Sequence, residues 1–194
     1  MTRATQNPPT SSTLTFEEYL VLPETSRRQE VIDGVVVMSP TPTGEHQWIV
    51  GNLYRGLFAV VEGQRLGTVL LAPLDVLIRK QPKLRTRQPD LMFFSDARAR
   101  REELKRTRIV EVGPDLVIEI RSEGETESRW AEKLADYTSI AVSEVWRVDP
   151  DAGAVEVLTL VAGHYEQAGR YGSSDAVRSP LLPGLALPVA SIFA

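Results

Sequence analysis

The sequence predicts an α/β chain of the α+β kind: a mixed central sheet flanked by helices, with a C-terminal strand meander. Three observations carry that expectation. Apolar residues recur at three and four spacings over Gly44 to Glu62 and again over Thr126 to Ile140, the mark of helices with one buried face. Between these lie short, nearly all-apolar runs of strand length. Beyond residue 143, three strand-like runs follow one another with only turn signals between them. With 194 residues, 42% of them hydrophobic, the chain has the size of one domain able to cover a sheet with helices.

Residues 1–13 are polar and rich in Thr, Ser and Pro, which predicts a flexible tail before a single domain over 14–194. Thr15 with Glu18 three residues later predicts a capped short helix from Phe16, ended by Pro23. Asp33-Gly34 between β-rich flanks predicts a hairpin over Glu30 to Met38. The helix over Gly44 to Glu62 is the longest expected. Strands are expected over Thr68 to Arg79, Arg87 to Phe94 and Asp115 to Arg121, with a charged helix over roughly 96–106. The helix over Thr126 to Ile140 puts Trp130, Leu134, Tyr137 and Ala141 on one stripe. Glu144 to Asp149, Ala154 to Leu160 and His164 to Ala168 complete the strands. The proline-dense C-terminal stretch should pack as irregular chain with one helical turn.

Composition narrows the chemistry. There is no cysteine, so disulfides, thiolate metal sites and cysteine nucleophiles are excluded, and the composition suits a reducing cytosol. The N-terminal stretch lacks the apolar core of a secretory signal, and no run approaches the roughly 20 apolar residues of a membrane helix. The expectation is a cytoplasmic protein without a membrane partner. The net charge is −4, yet residues 79–108 hold eleven Lys and Arg against four Asp and Glu, half of the 22 basic residues. That local excess is either a solvated surface or an electrostatic footprint for phosphates.

Several polar residues sit in apolar settings. Asp75 lies inside the first strand, Asp90 follows Pro89, and Glu119 is flanked by Ile118 and Ile120. Strand alternation places Val117, Glu119 and Arg121 on one face. A carboxylate among Val and Ile needs a cationic partner, which is either a structural salt bridge or a hard cation such as Mg²⁺. Lys133 lies at the edge of the buried helix stripe, one turn before Tyr137, where its ammonium can reach over the strand ends to orient or deprotonate a water. His46 is on the buried side of the long helix. Glu30 can pair with Arg27 or Arg28 as an ordinary surface contact, and His164 is read as structural.

The blocks LTFEEYL, QEVIDGVVVMSPTPTGEHQWIVGNL, APLDVLI, RQPDLMFF, LVIEIRS, AEKLADY, SEVWRVDP and LLPGLALPV, in this order from Leu14 nearly to the end, resemble the Uma family of endonuclease-like domains within the PD-(D/E)XK nuclease superfamily. The resemblance implies a restriction-endonuclease-like fold. It also implies that Asp90 and Glu119 bind Mg²⁺ or Mn²⁺ with help from the Ile120 carbonyl, and that Lys133 is the catalytic lysine moved from strand to helix. Glu30, His46 and Asp75 match further polar positions of the family's pocket. Two departures stand out: Arg129 where an acidic residue often precedes the helix lysine by one turn, and Arg121 where the wider superfamily keeps a strand lysine. An arginine fork binds phosphate well but accepts a proton poorly, so Arg121 is a candidate for holding the scissile phosphate.

The function expected is metal-dependent endonucleolytic hydrolysis of DNA phosphodiesters, with Asp90, Glu119 and Lys133 catalytic and a two-fold homodimer as the simplest way to cut both strands. The alternative is a catalytically weak or inactive nuclease-fold module that binds nucleic acid or a protein partner. A structural domain with no nucleic-acid role is the third reading.

Overall fold

A computed structural model describes residues 13–194 apart from 24 and 26, so the expected N-terminal tail lies, except for Thr13, outside the described residues. The elements run α1 (Phe16–Leu20), β1 (Gln29–Ile32), β2 (Val35–Met38), α2 (Gly44–Gln64), β3 (Gly67–Leu71), β4 (Asp75–Arg79), β5 (Arg85–Arg87), β6 (Leu91–Ser95), α3 (Arg101–Leu104), β7 (Ile109–Val110), β8 (Leu116–Ile120), α4 (Glu127–Ser139), β9 (Glu144–Asp149), β10 (Ala154–Val161), β11 (His164–Tyr171), β12 (Ala176–Val177), β13 (Leu187–Pro188) and α5 (Val189–Phe193).

The capping box at Thr15 forms as expected: its hydroxyl accepts from the Glu18 N–H at 3.2 Å, and the Glu18 carboxylate accepts from the Thr15 N–H at 2.9 Å. The Asp33-Gly34 hairpin pairs Ile32 with Val35, both turn residues taking positive φ. Thr43 and Thr126 cap α2 and α4.

The central sheet has six strands in the order β11-β10-β9-β8-β6-β3. Its one parallel pair is β8–β9, because α4 carries the chain across between them; every other neighbour is antiparallel. Alternation sorts the side chains into two cores. Leu91 and Phe93 of β6, with Leu116, Ile118 and Ile120 of β8, pack beneath Ile49, Leu53, Leu57 and Val61 of α2 and the C-terminal Leu182 and Ile192. On the other face Val117 and Val145 meet Trp130 and Tyr137 of α4. Glu119 alternates onto this second face.

Two expected strands are each divided. Thr68 to Arg79 is β3 and β4, separated around Pro73, which has no N–H to give a ladder. Arg87 to Phe94 likewise splits at Pro89: β5 joins β4 and β7 in a separate three-stranded sheet, while β6 enters the central one. The helix expected over 96–106 is only the single turn of α3, because Asp96 to Ala99 forms a turn closed by Ser95, whose carbonyl accepts the Arg98 and Ala99 N–H groups. Among the described residues no helix is long and apolar enough to cross a membrane.

The basic stretch is largely spent internally. Arg79, Lys80, Arg85, Arg87, Arg98, Arg100, Arg101 and Lys105 each meet a carboxylate: Asp33, Glu111, Asp136 for both Arg85 and Arg87, Asp115, Glu103, Glu62 and Glu102 in turn. Of the two readings of 79–108, a solvated surface or a phosphate footprint, neither takes account of this pairing within the fold. The excess of eleven basic over four acidic residues is a property of the sequence window, and most of the acidic partners come from elsewhere in the chain.

Candidate active site

Strand register brings Asp90 and Glu119 together. In the antiparallel β6–β8 pair Leu91 lies opposite Ile118, so the next position along that ladder sets Asp90 beside Glu119. Asp90 Oδ2 accepts the Ile120 N–H at 2.7 Å, which ties the carboxylate across the ladder. Both residues are 2% exposed, a setting in which a bare charge is costly.

Each carboxylate is answered by cations and donors from a different element. Glu119 Oε2 accepts from Lys133 Nζ at 2.9 Å, and Oε1 accepts from the Tyr137 hydroxyl. Lys133 and Tyr137 are one turn apart on α4, so a single helix face clamps both oxygens. Asp90 Oδ1 accepts from the Arg28 guanidinium, just before β1, and lies 3.3 Å from His46 Nε2 in the first turn of α2. Arg28 also donates to the Gln88 carbonyl.

The two carboxyls titrate apart. Burial pushes Asp90 up, but the His46 contact, the Arg28 charge and the Ile120 N–H outweigh it and hold the carboxyl down at about 2. Burial raises Glu119 above the usual carboxylate range, and the neighbouring Asp90 charge adds to that rise. For Lys133, burial favours the neutral amine, yet Glu119 and Glu125 together raise it above the ordinary lysine range. Lys133 is therefore an ammonium held between two carboxylates, placed to orient a water or balance charge.

The other expected residues divide. His46 and Tyr137 join the cluster. Glu30 stands next to it, accepting from Arg87 Nη1 at 2.9 Å and from the Gln88 N–H at 3.0 Å, and not making the alternative surface contact with Arg27 or Arg28. Asp75 is not in the cluster. It accepts from the Tyr19 hydroxyl and from Gln88 Nε2 at 3.3 Å, beside a separate cavity of about 300 Å³. Arg121 is also elsewhere: Nη1 lies 3.1 Å from Asp149 and 3.2 Å from Asp151, at the β9–β10 turn, so its fork is engaged away from Asp90 and Glu119. His164 is exposed and pairs with Glu166 at 2.9 Å.

The donor set fits a small hard cation. Asp90 and Glu119 offer carboxylate oxygens, which Mg²⁺ takes together with retained waters. Among the described residues no three His, Asp or Glu side chains are gathered as a ligand set. What shows that positive charge belongs here is the Arg28 guanidinium, which acts electrostatically on both carboxylates at once.

Residues 16–190 match the family model Uma2, described as "Putative restriction endonuclease". The chain belongs to the Uma2 family. A solved structure described as a putative nuclease belonging to DUF820, from Anabaena variabilis, is 26% identical with a TM-score of 0.76, over 93% of this chain and 97% of that one. No curated protein is similar enough to match. The fold is thus the nuclease-like mixed sheet flanked by helices that the sequence predicts, and the function is nuclease-like.

Two residues of this Uma2 chain escaped the sequence reading. Glu125, just before α4, accepts from Lys133 Nζ at 3.0 Å and has a side chain only 5% exposed. It supplies the acidic partner missing at Arg129, which is exposed. The signal was an acidic residue two turns before Lys133, outside the helix. Arg28 is the second; its pairing with Asp90, 62 residues away, leaves no local trace.

The depressed Asp90 predicts an acid limb in stability. Its folded value of about 2 lies below the ordinary 3.8, so its stabilising contribution is complete above 3.8 and is lost as pH falls through about 2. We expect Asp90→Asn to remove about 2 kcal/mol of that pH-dependent stability, read as a flatter profile in urea unfolding between pH 4 and 2.

Proposed function

We propose that this chain is a Mg²⁺- or Mn²⁺-dependent endodeoxyribonuclease of the cytoplasm, hydrolysing DNA phosphodiesters at the Asp90–Glu119–Lys133 cluster. The observation that carries the proposal is two buried carboxylates side by side on neighbouring strands, one of them, Glu119, paired with a helix-borne ammonium, in a chain of a family described as "Putative restriction endonuclease". Asp90, Glu119 and the Ile120 carbonyl would hold the ion, which supplies a water of lowered pKa and charge neutralisation at the phosphoryl oxygen.

The protein's own part is positional. Tyr137 and Lys133 fix the two oxygens of Glu119, and Glu125 in turn fixes Lys133, and the ammonium so held would orient the attacking water. His46 steadies the Asp90 side of the pocket. Cutting both strands is simplest for a two-fold homodimer, which is part of the proposal and is read by sedimentation.

The test is conversion of supercoiled plasmid by the purified protein. We expect nicked and linear product with Mg²⁺ or Mn²⁺ and none with chelator; product that ignores chelation removes the metal-dependent reading. One observation favours the alternative of a nuclease-fold module without turnover, namely Arg28 seated on Asp90. That alternative predicts salt-sensitive DNA retention, indifferent to chelation, with no product.

A further inference from the structure

We propose that Arg28 and the divalent ion hold Asp90 by turns: the guanidinium sits on the ion-binding side of the carboxylate, and the ion binds by displacing it. This rests on the metal-dependent reading above.

The geometry divides the two oxygens of Asp90 by role. Oδ2 is committed to the Ile120 N–H inside the sheet at 2.7 Å. Oδ1 faces the cluster, and there it receives Arg28 Nη1, with His46 Nε2 at 3.3 Å on the same atom. Oδ1 is thus the oxygen on which positive charge already gathers, and a cation joining Asp90 to Glu119 through it meets Arg28. The guanidinium acts on both carboxylates, as such a cation would, and two cations cannot share that place against their mutual repulsion.

Arg28 is also built to leave. Its grip is one carboxylate oxygen and the Gln88 carbonyl, not a two-pronged fork onto Asp90, and its Nε is buried without a hydrogen-bond partner. The side chain is 22% exposed, so a path to solvent is open. By contrast, Arg87 is locked between Glu30 and Asp136 and is 5% exposed. Displaced Arg28 remains tethered next to the site with a free fork, the role that Arg121 cannot fill while it is held by Asp149 and Asp151.

Calorimetric titration of Mn²⁺ into the full chain, without DNA, tests the exchange in wild type, Arg28→Gln and Asp90→Asn. We expect Arg28→Gln to bind Mn²⁺ at least tenfold tighter than wild type, and Asp90→Asn to lose binding. In ¹⁵N-labelled wild type, the Arg28 Nε–H signal, assigned by its absence in Arg28→Lys, is expected to shift with Mg²⁺ along the binding curve. That signal decides the matter if Arg28→Gln does not fold. Equal or weaker Mn²⁺ affinity in Arg28→Gln, or an unmoved Arg28 signal, with wild-type binding still lost in Asp90→Asn, overturns the exchange and leaves the metal-dependent reading intact. No Mn²⁺ binding to either wild type or Arg28→Gln overturns both.

Discussion

Asp90→Asn and Glu119→Gln are each expected to lower metal-dependent plasmid nicking by roughly a thousandfold or more while remaining folded. Both substitutions keep shape and remove a charge. The amide introduced at position 90 can still meet the Ile120 N–H through its oxygen, and the amide introduced at position 119 can still accept from Lys133, so the loss falls on cation binding and not on the sheet. Glu125→Gln provides the graded comparison. It touches Lys133 but neither proposed ion ligand, and a drop of about 10- to 100-fold is expected, the usual range for a residue that orients another. Cleavage by Asp90→Asn or Glu119→Gln at the wild-type rate would remove the mechanism. Equal losses in all three would mean that Lys133, not the pair of carboxylates, carries the chemistry.

The second large effect is on stability. Asp136, on α4, accepts from Arg85 Nε at 2.7 Å and from Arg87 Nε at 2.7 Å, and all three residues are buried. This is the joint between α4 and β5, far stronger in consequence than the exposed pairs on α3. Asp136→Ala leaves two buried guanidiniums to their outer partners, Glu132 for Arg85 and Glu30 for Arg87, and we expect a loss of about 3 kcal/mol, because removing one member of a buried ion network costs more than the net worth of the pair. For a chain of this size that corresponds to a fall in Tm of roughly 6–12 °C. Lys105→Ala, whose Glu102 partner is exposed and one turn away, should change stability by less than about 0.5 kcal/mol. Thermal unfolding of the two variants side by side checks the contrast; equal shifts would mean that the buried joint is not what holds α4 in place.

The joint also accounts for part of the basic stretch. Arg85 and Arg87 alternate with Thr86 in a three-residue strand that reads as a charged surface, yet both are under 5% exposed, since the acidic face of α4 and the hairpin carboxylates close over them. Charge counted along the chain carries no information on which distant carboxylate arrives to cancel it.

Local physics was legible from residues alone. The cap at Thr15, the Asp33-Gly34 turn and the stripes of α2 and α4 depend on neighbours within a few positions, and the structure has them. Alternation correctly separated Glu119 from Ile118 and Ile120, and the one-turn spacing placed Lys133 and Tyr137 on a common edge, where both reach Glu119. Pro73 and Pro89 were visible too, but their power to send halves of one apolar run into different sheets was not, because strand length says nothing of partner choice.

What only the tertiary structure decided is the pairing of charges. Asp90 receives Arg28 rather than a basic residue of its own window, Glu30 turns to Arg87, Arg121 is drawn off to Asp149 and Asp151, and Lys133 finds Glu125. Sequence determines which groups are too costly to bury alone. Which opposite charge relieves each one depends on the register of strands and the crossing of a helix, and those are settled by packing the whole sheet at once.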